Sequence, residues 1–401
     1  MSAGIHNIVI AGAGQAGATV ALGLRKAGFA GALTLVGDEP HAPYERPQLS
    51  KEMLQAEAGD HRTIKSLADY EGQGIRLELG RRVSEVDAAG RRVVLDDGGA
   101  IEYDALVIAT GVKPRRLPDA FHDPERVRYL RTVEDSRLLR EDIGAGRSLA
   151  IIGGGVIGLE VAASARAAGC QVTVVEAADR LMSRSVDEVV SDYLDRTHRR
   201  NGVDIRYGVV ASELLPDGAL RLSDDSLISA ERVLVGIGVT PNISGFETLG
   251  ITDAAGVRVD GAGRSAIQGI YATGDVASQP NDRGFGRIET WANAQDHASN
   301  LVKTLLGEEA LYQAPTWFWS DQGPSNLQVV GNALEGARVI RGDERGEAFS
   351  VFWLDGDRVT GCASVNAPKD MAMARRWVRQ GARVDPVRLA DTSIELRHCA
   401  V

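Results

Sequence analysis

Short apolar runs alternate along the chain with longer stretches whose hydrophobic positions recur at a helical period. Asn7–Ala11 is the first apolar run, and Val156–Ala168 is an amphipathic stretch of helix length. Short buried strands that alternate with amphipathic helices are typical of parallel sheets with crossover helices. The pattern therefore predicts an α/β chain built on parallel sheets.

One glycine motif occurs twice, and each copy directly follows an apolar strand. Gly12–Gly17 reads GAGQAG and Gly153–Gly158, after the strand Ser148–Ile152, reads GGGVIG, so both fit GxGxxG at an offset of 141 residues. A second apolar strand then ends near an acid, at Asp38 in the first copy and at Glu176 in the second. A strand-flanked pair with matched spacing is far more specific than a lone motif, so we expect two related, Rossmann-like dinucleotide-binding modules.

The repeat continues beyond the glycine turns. Each copy contains two short strands joined by a polar turn, at Asp96–Gly99 and at Asp224–Ser226, which predicts a β-hairpin. Each hairpin leads into another apolar strand that ends in glycine, Leu106–Gly111 and Val233–Gly238. A third strand of this kind, Ile270–Asp275, follows the second copy. The economical topology therefore has the second module inserted into the first.

Three domains follow from this topology. The first module comprises residues 1–111 and 243–312, and the second comprises 112–242. A composition shift near Gln313 marks a third region, 313–401, which lacks GxGxxG but has strand-like runs and one helix, Lys369–Gln380. We predict a C-terminal α+β domain there.

The glycine turns carry the expected chemistry. The first glycine permits a tight bend, the second lets a pyrophosphate approach the backbone, and the third lets the helix pack on the strand. The acids at Asp38 and Glu176 should bind ribose hydroxyls. A carboxylate would repel a 2′-phosphate, so Glu176 favours NAD over NADP, while Arg180 and Arg184 nearby are an opposing signal.

Composition and charge exclude several other classes. Of the 401 residues 44% are hydrophobic, yet none of the apolar runs reaches the ~20 residues of a membrane helix. A net charge of −10 argues against a general nucleic-acid coat. The three cysteines lie far apart without a CxxC, which argues against a zinc knuckle or a redox disulfide. Met1–Val9 does not resemble a signal peptide, and we expect a reduced, cytoplasmic protein.

Two dinucleotide sites in one chain imply two dinucleotides. The chemically sensible pair is FAD with NAD(H), because a hydride can pass from nicotinamide to flavin. The sequence predicts an oxidoreductase that is also a flavoprotein.

Three segments carry a resemblance to one branch of the two-dinucleotide flavoproteins of glutathione-reductase-like fold. They are Pro43–Lys51 (PYERPQLSK), Arg287–Ala294 (RIETWANA) and Trp317–Gln322 (WFWSDQ). With the two glycine turns, they resemble the ferredoxin reductases of bacterial aromatic-ring oxygenases, of the biphenyl dioxygenase reductase and putidaredoxin reductase kind. The match extends over nearly the whole chain. Gln48 departs from the pattern, because the family usually has a second proline there.

The resemblance implies a set of cofactor-binding residues. For FAD they are Gly12, Gly14, Ala16, Gly17, Asp38, Arg46, Lys51, Val83, Ala109, Thr110, Gly111, Arg131, Gly274, Asp275, Trp291 and Trp319. For NAD(H) they are Gly153, Gly155, Val156, Ile157, Gly158, Glu160, Glu176, Arg184 and Gly238.

Within this set, the resemblance places Lys51 near the flavin N5, able to pair with Glu160, and places Glu160 near the nicotinamide. These two are the catalytic candidates, and they would tune and position, since the flavin does the chemistry. Simpler interpretations stay open: a solvated lysine, an acid favoured by the helix dipole, and core packing for Trp291 and Trp319.

The family also indicates the electron acceptor. Related disulfide reductases carry cysteines after the first ribose acid, but Asp38–Lys65 contains none, so electrons would leave through the flavin alone. Lys369–Arg388 holds six basic against two acidic residues, and Arg375, Arg376 and Arg379 could dock an acidic [2Fe–2S] ferredoxin. On charge alone, a solvated helix face is an equal alternative.

The resulting hypothesis is an FAD-dependent NADH:ferredoxin reductase. It would pass a hydride from NADH to FAD and then single electrons to a [2Fe–2S] ferredoxin that feeds an oxygenase of aromatic hydrocarbon catabolism. No metal, nucleic-acid or membrane partner is expected. Three alternatives remain: a rubredoxin reductase, an NADH-dependent quinone-type reductase, and an NADH-sensing flavoprotein like apoptosis-inducing factor.

Overall fold

A computed structural model describes residues 4–55, 57, 59–281, 284–308 and 310–401. The α-helices are α1 Gln15–Lys26, α2 Leu67–Gly72, α3 Val133–Asp142, α4 Val156–Ala167, α5 Glu188–Arg200, α6 Trp291–Leu305, α7 Pro368–Gln380 and α8 Pro386–Ala390. The first strands are β1 Asn7–Ala11, β2 Ala32–Gly37, β3 Ile75–Leu79, β4 Val83–Asp87, β5 Arg92–Leu95, β6 Ala100–Glu102, β7 Ala105–Ile108, β8 Val112–Pro114, β9 Val127–Arg128, β10 Ser148–Ile152, β11 Gln171–Glu176, β12 Val203–Tyr207, β13 Ala211–Leu214, β14 Ala219–Leu222, β15 Leu227–Ser229, β16 Arg232–Val235 and β17 Val239–Pro241. The remaining strands are β18 Thr252–Asp253, β19 Gly256–Arg258, β20 Ile270–Ala272, β21 Ala277–Asn281, β22 Gly284–Gly286, β23 Trp317–Gln322, β24 Ser325–Gly331, β25 Ala337–Gly342, β26 Phe349–Asp355 and β27 Arg358–Val365.

Tertiary contacts divide the chain into two compact units. The first unit is made of Met1–Arg46, His61–Lys113 and Val239–Ala314, and the second of Pro47–Asp60, Pro114–Gly238 and Pro315–Val401. By its contacts Pro47–Asp60 groups with the second unit. The three-domain boundaries given above stay a prediction.

The first unit is built on a parallel sheet in the order β20-β7-β1-β2-β3. Its central strand β1 pairs in parallel with β2 and with β7. Since alternate side chains of a strand face opposite sides, Ile8 and Ile10 pack with helices α1 and α6, while Val9 and Ala11 pack with the hairpin β5–β6 and Phe246. Full burial of such a side chain contributes about 1.5–3 kcal/mol to folding.

The second unit repeats this architecture and adds an antiparallel sheet. Its parallel sheet has the order β12-β11-β10-β16-β9, and β10 occupies the place that β1 has in the first unit. The C-terminal sheet has the order β23-β24-β27-β26-β25 and is antiparallel throughout. One face packs with helices α4 and α5 in a shared core, and the other packs with α7 around Phe352 and Trp377.

The predicted fold class is confirmed at the level of these elements. Both apolar strands before the glycine turns, both hairpins and the helix after each turn are present. The C-terminal region is α+β, as predicted. Among the described residues there is no helix that is long and apolar enough to span a bilayer.

Candidate functional site

The first glycine turn joins β1 to α1 and is shaped by contacts that exclude a Cβ atom. Gly12 has a φ of +119°, and a Cβ there would lie 2.8 Å from the backbone nitrogen of Thr110. A Cβ on Gly17 would collide with the carbonyl oxygen of Gly12. Gly14, the N-cap of α1, would in contrast have nothing within 4 Å of its Cβ. The turn is therefore closed around Gly12 and Gly17 and open beside Gly14.

The second glycine turn, between β10 and α4, has the same construction. Gly153 has a φ of +108° and packs on the carbonyl group of Gly236, and Gly158 packs on Gly153. Gly155 is the N-cap of α4, and its Cβ position is again open. Val156 and Ile157 are the first two residues of that helix.

An anion fits at both helix starts. Neither N-cap glycine has a side chain that could accept from the first backbone N–H groups, which leaves those donors for a ligand. The helix dipole adds positive potential at the same place. Both turns therefore fit the pyrophosphate of a dinucleotide.

The two acids predicted to bind ribose stand at the ends of equivalent strands. Asp38 is exposed and directly follows β2, and Glu176 is the last residue of β11. The Glu176 carboxylate accepts hydrogen bonds from the backbone nitrogens of Gly154 at 2.6 Å and of Ala178 at 2.7 Å. These bonds hold the carboxylate beside the second glycine turn.

The arginines near Glu176 differ in their surroundings. Arg180 donates to the carbonyl oxygens of Val186 at 2.6 Å and of Ser183 at 3.0 Å, so its guanidinium is engaged by its own loop. Arg184 is exposed, and its Nη2 lies 3.7 Å from the Cβ position of Gly238. The structure therefore brings Arg184 and Gly238 together.

The third glycine-ended strand meets the first glycine turn inside the first unit. Gly274 follows β20 with a φ of +72°, and its Cβ position lies 2.8 Å from the Cβ of Ala16. Asp275 is next in the chain, in the 3-10 turn Gly274–Val276. β20 pairs with β7, which leads into Ala109, Thr110 and Gly111.

Helix α6 and the segment after β2 complete the candidates of the first unit. The indole nitrogen of Trp291 donates to Gln15 Oε1 at 3.1 Å. Arg46 donates to Glu39 at 2.6 Å and to the Tyr44 hydroxyl at 2.8 Å. Burial opposes the charge of the Arg46 guanidinium, but Tyr44 and Glu39 raise its pKa above the ordinary value. Val83 is the buried first residue of β4.

An ion pair with a buried carboxylate lies in the second unit. Lys51 Nζ lies 2.9 Å from Glu160 Oε2, and Glu160 is 2% exposed. Ser50 donates to the same oxygen at 2.5 Å, and Ser320 donates to Oε1 at 2.8 Å. Burial raises the pKa of Glu160, while Lys51 and the two serines act in the opposite direction. The carboxylate is thus surrounded by donors.

Trp319 and Arg131 also belong to the second unit. Trp319 stacks on Trp317 with ring centroids 5.3 Å apart. The Arg375 guanidinium lies over the ring of Trp317, 4.0 Å from its centroid. The backbone nitrogen of Arg131 donates to Asp135 at the start of α3. The other FAD candidates lie in the first unit.

Sequence reasoning missed Ser50, Ser320, Gln322 and His198. Gln322 donates to Ser320 at 3.0 Å, and its Oε1 lies 2.9 Å from Nε2 of the buried His198. For Ser320 and Gln322 the available signal was the pair of polar residues at alternate positions of β23, on the face opposite Trp317 and Trp319.

Comparisons with known proteins identify the family of the chain. The family model described as pyridine nucleotide-disulphide oxidoreductase matches residues 6–298, and the model described as reductase C-terminal matches 317–400. The chain belongs to the pyridine nucleotide-disulphide oxidoreductase family. It carries the C-terminal domain of the reductases as well, so the family match extends over both units.

The relatives identify the branch of the family. The chain is 68% identical over 402 residues to the ferredoxin–NAD(+) reductase component of the p-cumate 2,3-dioxygenase system of Pseudomonas putida, with 100% of each chain covered. It is 39% identical to the ferredoxin–NAD(+) reductase component of the anthranilate 1,2-dioxygenase system of Burkholderia cepacia, covering 97% of this chain and 98% of the relative. The resemblance to ferredoxin reductases of oxygenase systems is confirmed.

Solved structures place the fold in the same branch. A ferredoxin reductase from Rhodopseudomonas palustris matches with a TM-score of 0.94 and 37% identity, covering 99% of this chain and 100% of that one. Putidaredoxin reductase in its covalent complex with putidaredoxin matches with a TM-score of 0.93 and 35% identity, covering 98% of both chains. Membership of this oxidoreductase family implies FAD and NAD(H), and the two open glycine turns fit both cofactors.

Proposed function

We propose that this chain is an FAD-containing NADH:ferredoxin oxidoreductase that supplies electrons to an aromatic-ring oxygenase or a monooxygenase. The observation that carries the proposal is the presence of two matched glycine turns in one chain, each open at a helix start and each beside an acid at a strand end. Two dinucleotides can therefore be held by one protein. Whole-length similarity to ferredoxin reductases supports the choice of electron acceptor.

When bound, FAD supplies the redox chemistry, because it accepts a hydride from NADH and releases electrons one at a time. The residues of the chain bind and orient. The Gly12–Gly17 turn holds the FAD pyrophosphate, Asp38 binds the adenosine ribose, and Asp275 binds the ribitol chain. The resemblance assigns Trp291 to the flavin ring.

The second glycine turn binds the NADH pyrophosphate, and Glu176 selects the nucleotide. Both carboxylate oxygens already accept backbone hydrogen bonds, so the negative charge is fixed beside the turn. That charge can accept from ribose hydroxyls but repels a 2′-phosphate. NADH is therefore preferred over NADPH.

Lys51 and Glu160 serve the hydride transfer by positioning and by electrostatics. Lys51 donates to the carbonyl oxygen of Pro47 at 3.0 Å and pairs with Glu160 at 2.9 Å, so its ammonium group is held from two sides. A fixed positive charge stabilises negative charge that develops nearby. Neither group has to transfer a proton.

An acidic [2Fe–2S] ferredoxin docks at the C-terminal helix α7. Arg376 and Arg379 are exposed on this helix, and Arg375 is half-buried against Trp317. Farther along, Arg383 is paired with Asp357 at 2.8 Å, so it contributes less positive charge to this surface than Arg376 and Arg379 do. Charge of this sign steers an acidic partner and makes the association rate fall with salt.

Anaerobic stopped-flow absorbance tests the proposal. NADH or NADPH is mixed with the yellow holoprotein, and an oxygenase-type [2Fe–2S] ferredoxin is then added. We expect fast bleaching of the flavin with NADH, slow bleaching with NADPH, and fast reoxidation by the ferredoxin. Sluggish reoxidation by several ferredoxins after fast bleaching would overturn the assignment of the acceptor.

A charge-reversal series tests the docking surface in the same instrument. Arg376→Glu and Arg379→Glu should slow reoxidation by ferredoxin while flavin reduction by NADH is unchanged. Arg82→Glu, a change to an exposed arginine of the first unit, is the matched control. Equal slowing by all three variants would show a general charge effect and contradict docking on α7.

The cellular location follows the same proposal. Cys170, Cys362 and Cys399 are buried free thiols, which is compatible with a reducing compartment. A cytoplasmic protein remains our prediction.

A further inference from the structure

A chain of side-chain hydrogen bonds extends from the ion pair with the buried carboxylate into the interior of the second unit. It begins at the Glu160 carboxylate, passes through Ser320 and Gln322, and ends at His198. Each of these four side chains is buried. We infer that His198, Gln322 and Ser320 are positioning residues that hold Glu160 ionised and thereby keep Lys51 in place. The link to hydride transfer rests on the proposed function.

The direction of the hydrogen bonds carries the argument. Ser320 donates to Glu160 Oε1 at 2.8 Å, and Gln322 Nε2 donates to Ser320 Oγ at 3.0 Å. Because the amide nitrogen of Gln322 points to Ser320, its oxygen is left to accept from His198 Nε2 at 2.9 Å. All donors therefore point toward the carboxylate. Hydrogen bonds to the charged form of an acid lower its pKa.

The other carboxylate oxygen receives the remaining donors. Ser50 Oγ donates to Oε2 at 2.5 Å, and Lys51 Nζ lies 2.9 Å from the same oxygen. Without these donors, burial would favour the neutral acid, and a neutral Glu160 would no longer attract the Lys51 ammonium. Ser320, Gln322 and His198 form a hydrogen-bonded relay that ends at the carboxylate. This relay and Ser50 thus oppose the cost of desolvating Glu160.

The pattern of β23 makes this arrangement possible. Ser320 and Gln322 are two residues apart, so both face helices α4 and α5, while Trp317 and Trp319 face the opposite side. Gln322 also contacts Met182 Sδ at 3.5 Å. Two polar residues on this face of the strand are thereby inserted into an otherwise apolar core.

The relay does not conduct protons. The amide of Gln322 interrupts it, since an amide N–H is not an acid at physiological pH. Burial lowers the pKa of His198, against opposing effects of Gln322 and Asp195, so the imidazole stays neutral and donates one N–H. The role left to the relay is orientation and electrostatic stabilisation.

Other charged groups near Glu160 are accounted for by their own contacts. Of the elements packed against α4, β11 carries Glu176, which accepts from Gly154 and Ala178. On β23, Asp321 accepts from Asn326 at 2.6 Å. Next to Lys51, Glu52 is exposed. Lys51 is the charge that acts on the Glu160 pKa.

Infrared difference spectroscopy of the holoprotein measures the protonation of Glu160 directly. The carbonyl stretch of the protonated acid is followed against pH and assigned by its loss in Glu160→Gln. Ser320→Ala should move the midpoint upward by about one pH unit, because a charge-assisted hydrogen bond is lost. Gln322→Met should move the midpoint upward by less than Ser320→Ala does, and His198→Phe by less again. Ser320→Thr, which keeps a hydroxyl group, should have the midpoint of the wild type.

Ser325→Ala is the matched control. Ser325 is a buried serine on the neighbouring strand β24, paired with Gln322 in the sheet, but its hydroxyl bonds to Tyr193 at 3.0 Å. An unchanged midpoint in Ser320→Ala and Gln322→Met, or an equal shift in Ser325→Ala, would overturn the inference.

Flavin reduction by NADH is measured over the same pH range to separate the two proposals. If the infrared midpoint and the acid limb of the reduction rate move together, the relay acts on hydride transfer through Glu160. If the infrared midpoint moves but the rate profile does not, the relay stands, and the role of the ion pair in hydride transfer fails.

Discussion

The Arg375 guanidinium lies over the ring of Trp317, 4.0 Å from the ring centroid. Trp317 in turn stacks on Trp319, on the same face of β23. A cation over an aromatic face is attracted by the ring quadrupole, and the planar guanidinium of arginine is well suited to this contact. The stack therefore connects the basic helix α7 with the tryptophan assigned to the flavin.

Arg375→Ala should weaken the use of ferredoxin more than Arg379→Ala does. The first change removes a charge and the stacking partner of Trp317, whereas the second removes an exposed charge alone. A further loss of about fivefold in kcat/KM for ferredoxin is expected from the stacking contact. Arg375→Lys should recover only part of it. Equal effects of both alanine variants, or slower flavin reduction by NADH in Arg375→Ala, would contradict this role.

Two glycines of the first turn should respond differently to a methyl group. Gly14 has extended backbone and an open Cβ position, so Gly14→Ala should fold but hold FAD at least tenfold more weakly. Gly17→Ala should reduce the yield of folded protein, because its Cβ would collide with the Gly12 carbonyl oxygen. Flavin content per protein and the melting temperature distinguish the two outcomes.

Gly155→Ala is the matched control for that comparison. It should keep the flavin content of the wild type and raise the KM for NADH, since its open Cβ position belongs to the second turn. Loss of flavin in Gly155→Ala would show that the assignment of the two turns is wrong.

Glu176→Ala should relax the choice of nucleotide. The carboxylate beside the second turn is removed, and with it the repulsion of a 2′-phosphate. The ratio of kcat/KM for NADH to that for NADPH should fall at least tenfold, which corresponds to about 1.4 kcal/mol. Glu213→Ala, which removes an exposed acid of the same unit, should leave this ratio unchanged. An unaltered ratio in Glu176→Ala would assign the selectivity elsewhere.

His297 should make the stability of the first unit depend on pH. Burial lowers the pKa of His297 to about 4, from an ordinary value of 6.5. Between these two pH values the unfolded chain binds a proton that the folded chain does not bind. The free energy of unfolding therefore falls as the pH drops, by about 3 kcal/mol between pH 6.5 and pH 4. The stabilisation is present above pH 6.5 and lost toward pH 4.

His297→Phe retains a ring to stack on Tyr312 and removes the titration. The difference in melting temperature between pH 7 and pH 5 should be smaller in this variant than in the wild type. His398→Phe, at an exposed position, should keep the wild-type difference. Identical differences in all three proteins would remove His297 as the cause.

The elements that local sequence encodes were predictable, and those that depend on distant contacts were not. Strand, glycine turn and helix occupy consecutive residues, so both turns and their flanking strands could be read from spacing alone. The donors around Glu160 are separated from it by 110 residues at Ser50 and by 160 at Ser320. The packing of β23 on α4 brings Ser320 to Glu160, and the spacing of residues along the sequence does not specify that contact.

Arginine positions illustrate the same limit. In the sequence, Arg180 and Arg184 were equal as an opposing signal to Glu176. The structure separates them, since Arg180 is engaged by two carbonyl oxygens of its loop and Arg184 is exposed. Loop geometry, rather than residue type, decides which of two arginines donates to the carbonyl oxygens of its own loop.

All three cysteines of the chain are fully buried, at 0% exposure. Burial also raises the pKa of the Cys362 thiol and keeps it in the unreactive form. A cysteine introduced on the exposed face of α7 would consequently be the single thiol open to reagents in the folded protein. A spin label or cross-linker could then be attached at one chosen point without first removing native cysteines, and the distance from that point to a bound iron–sulfur carrier could be measured.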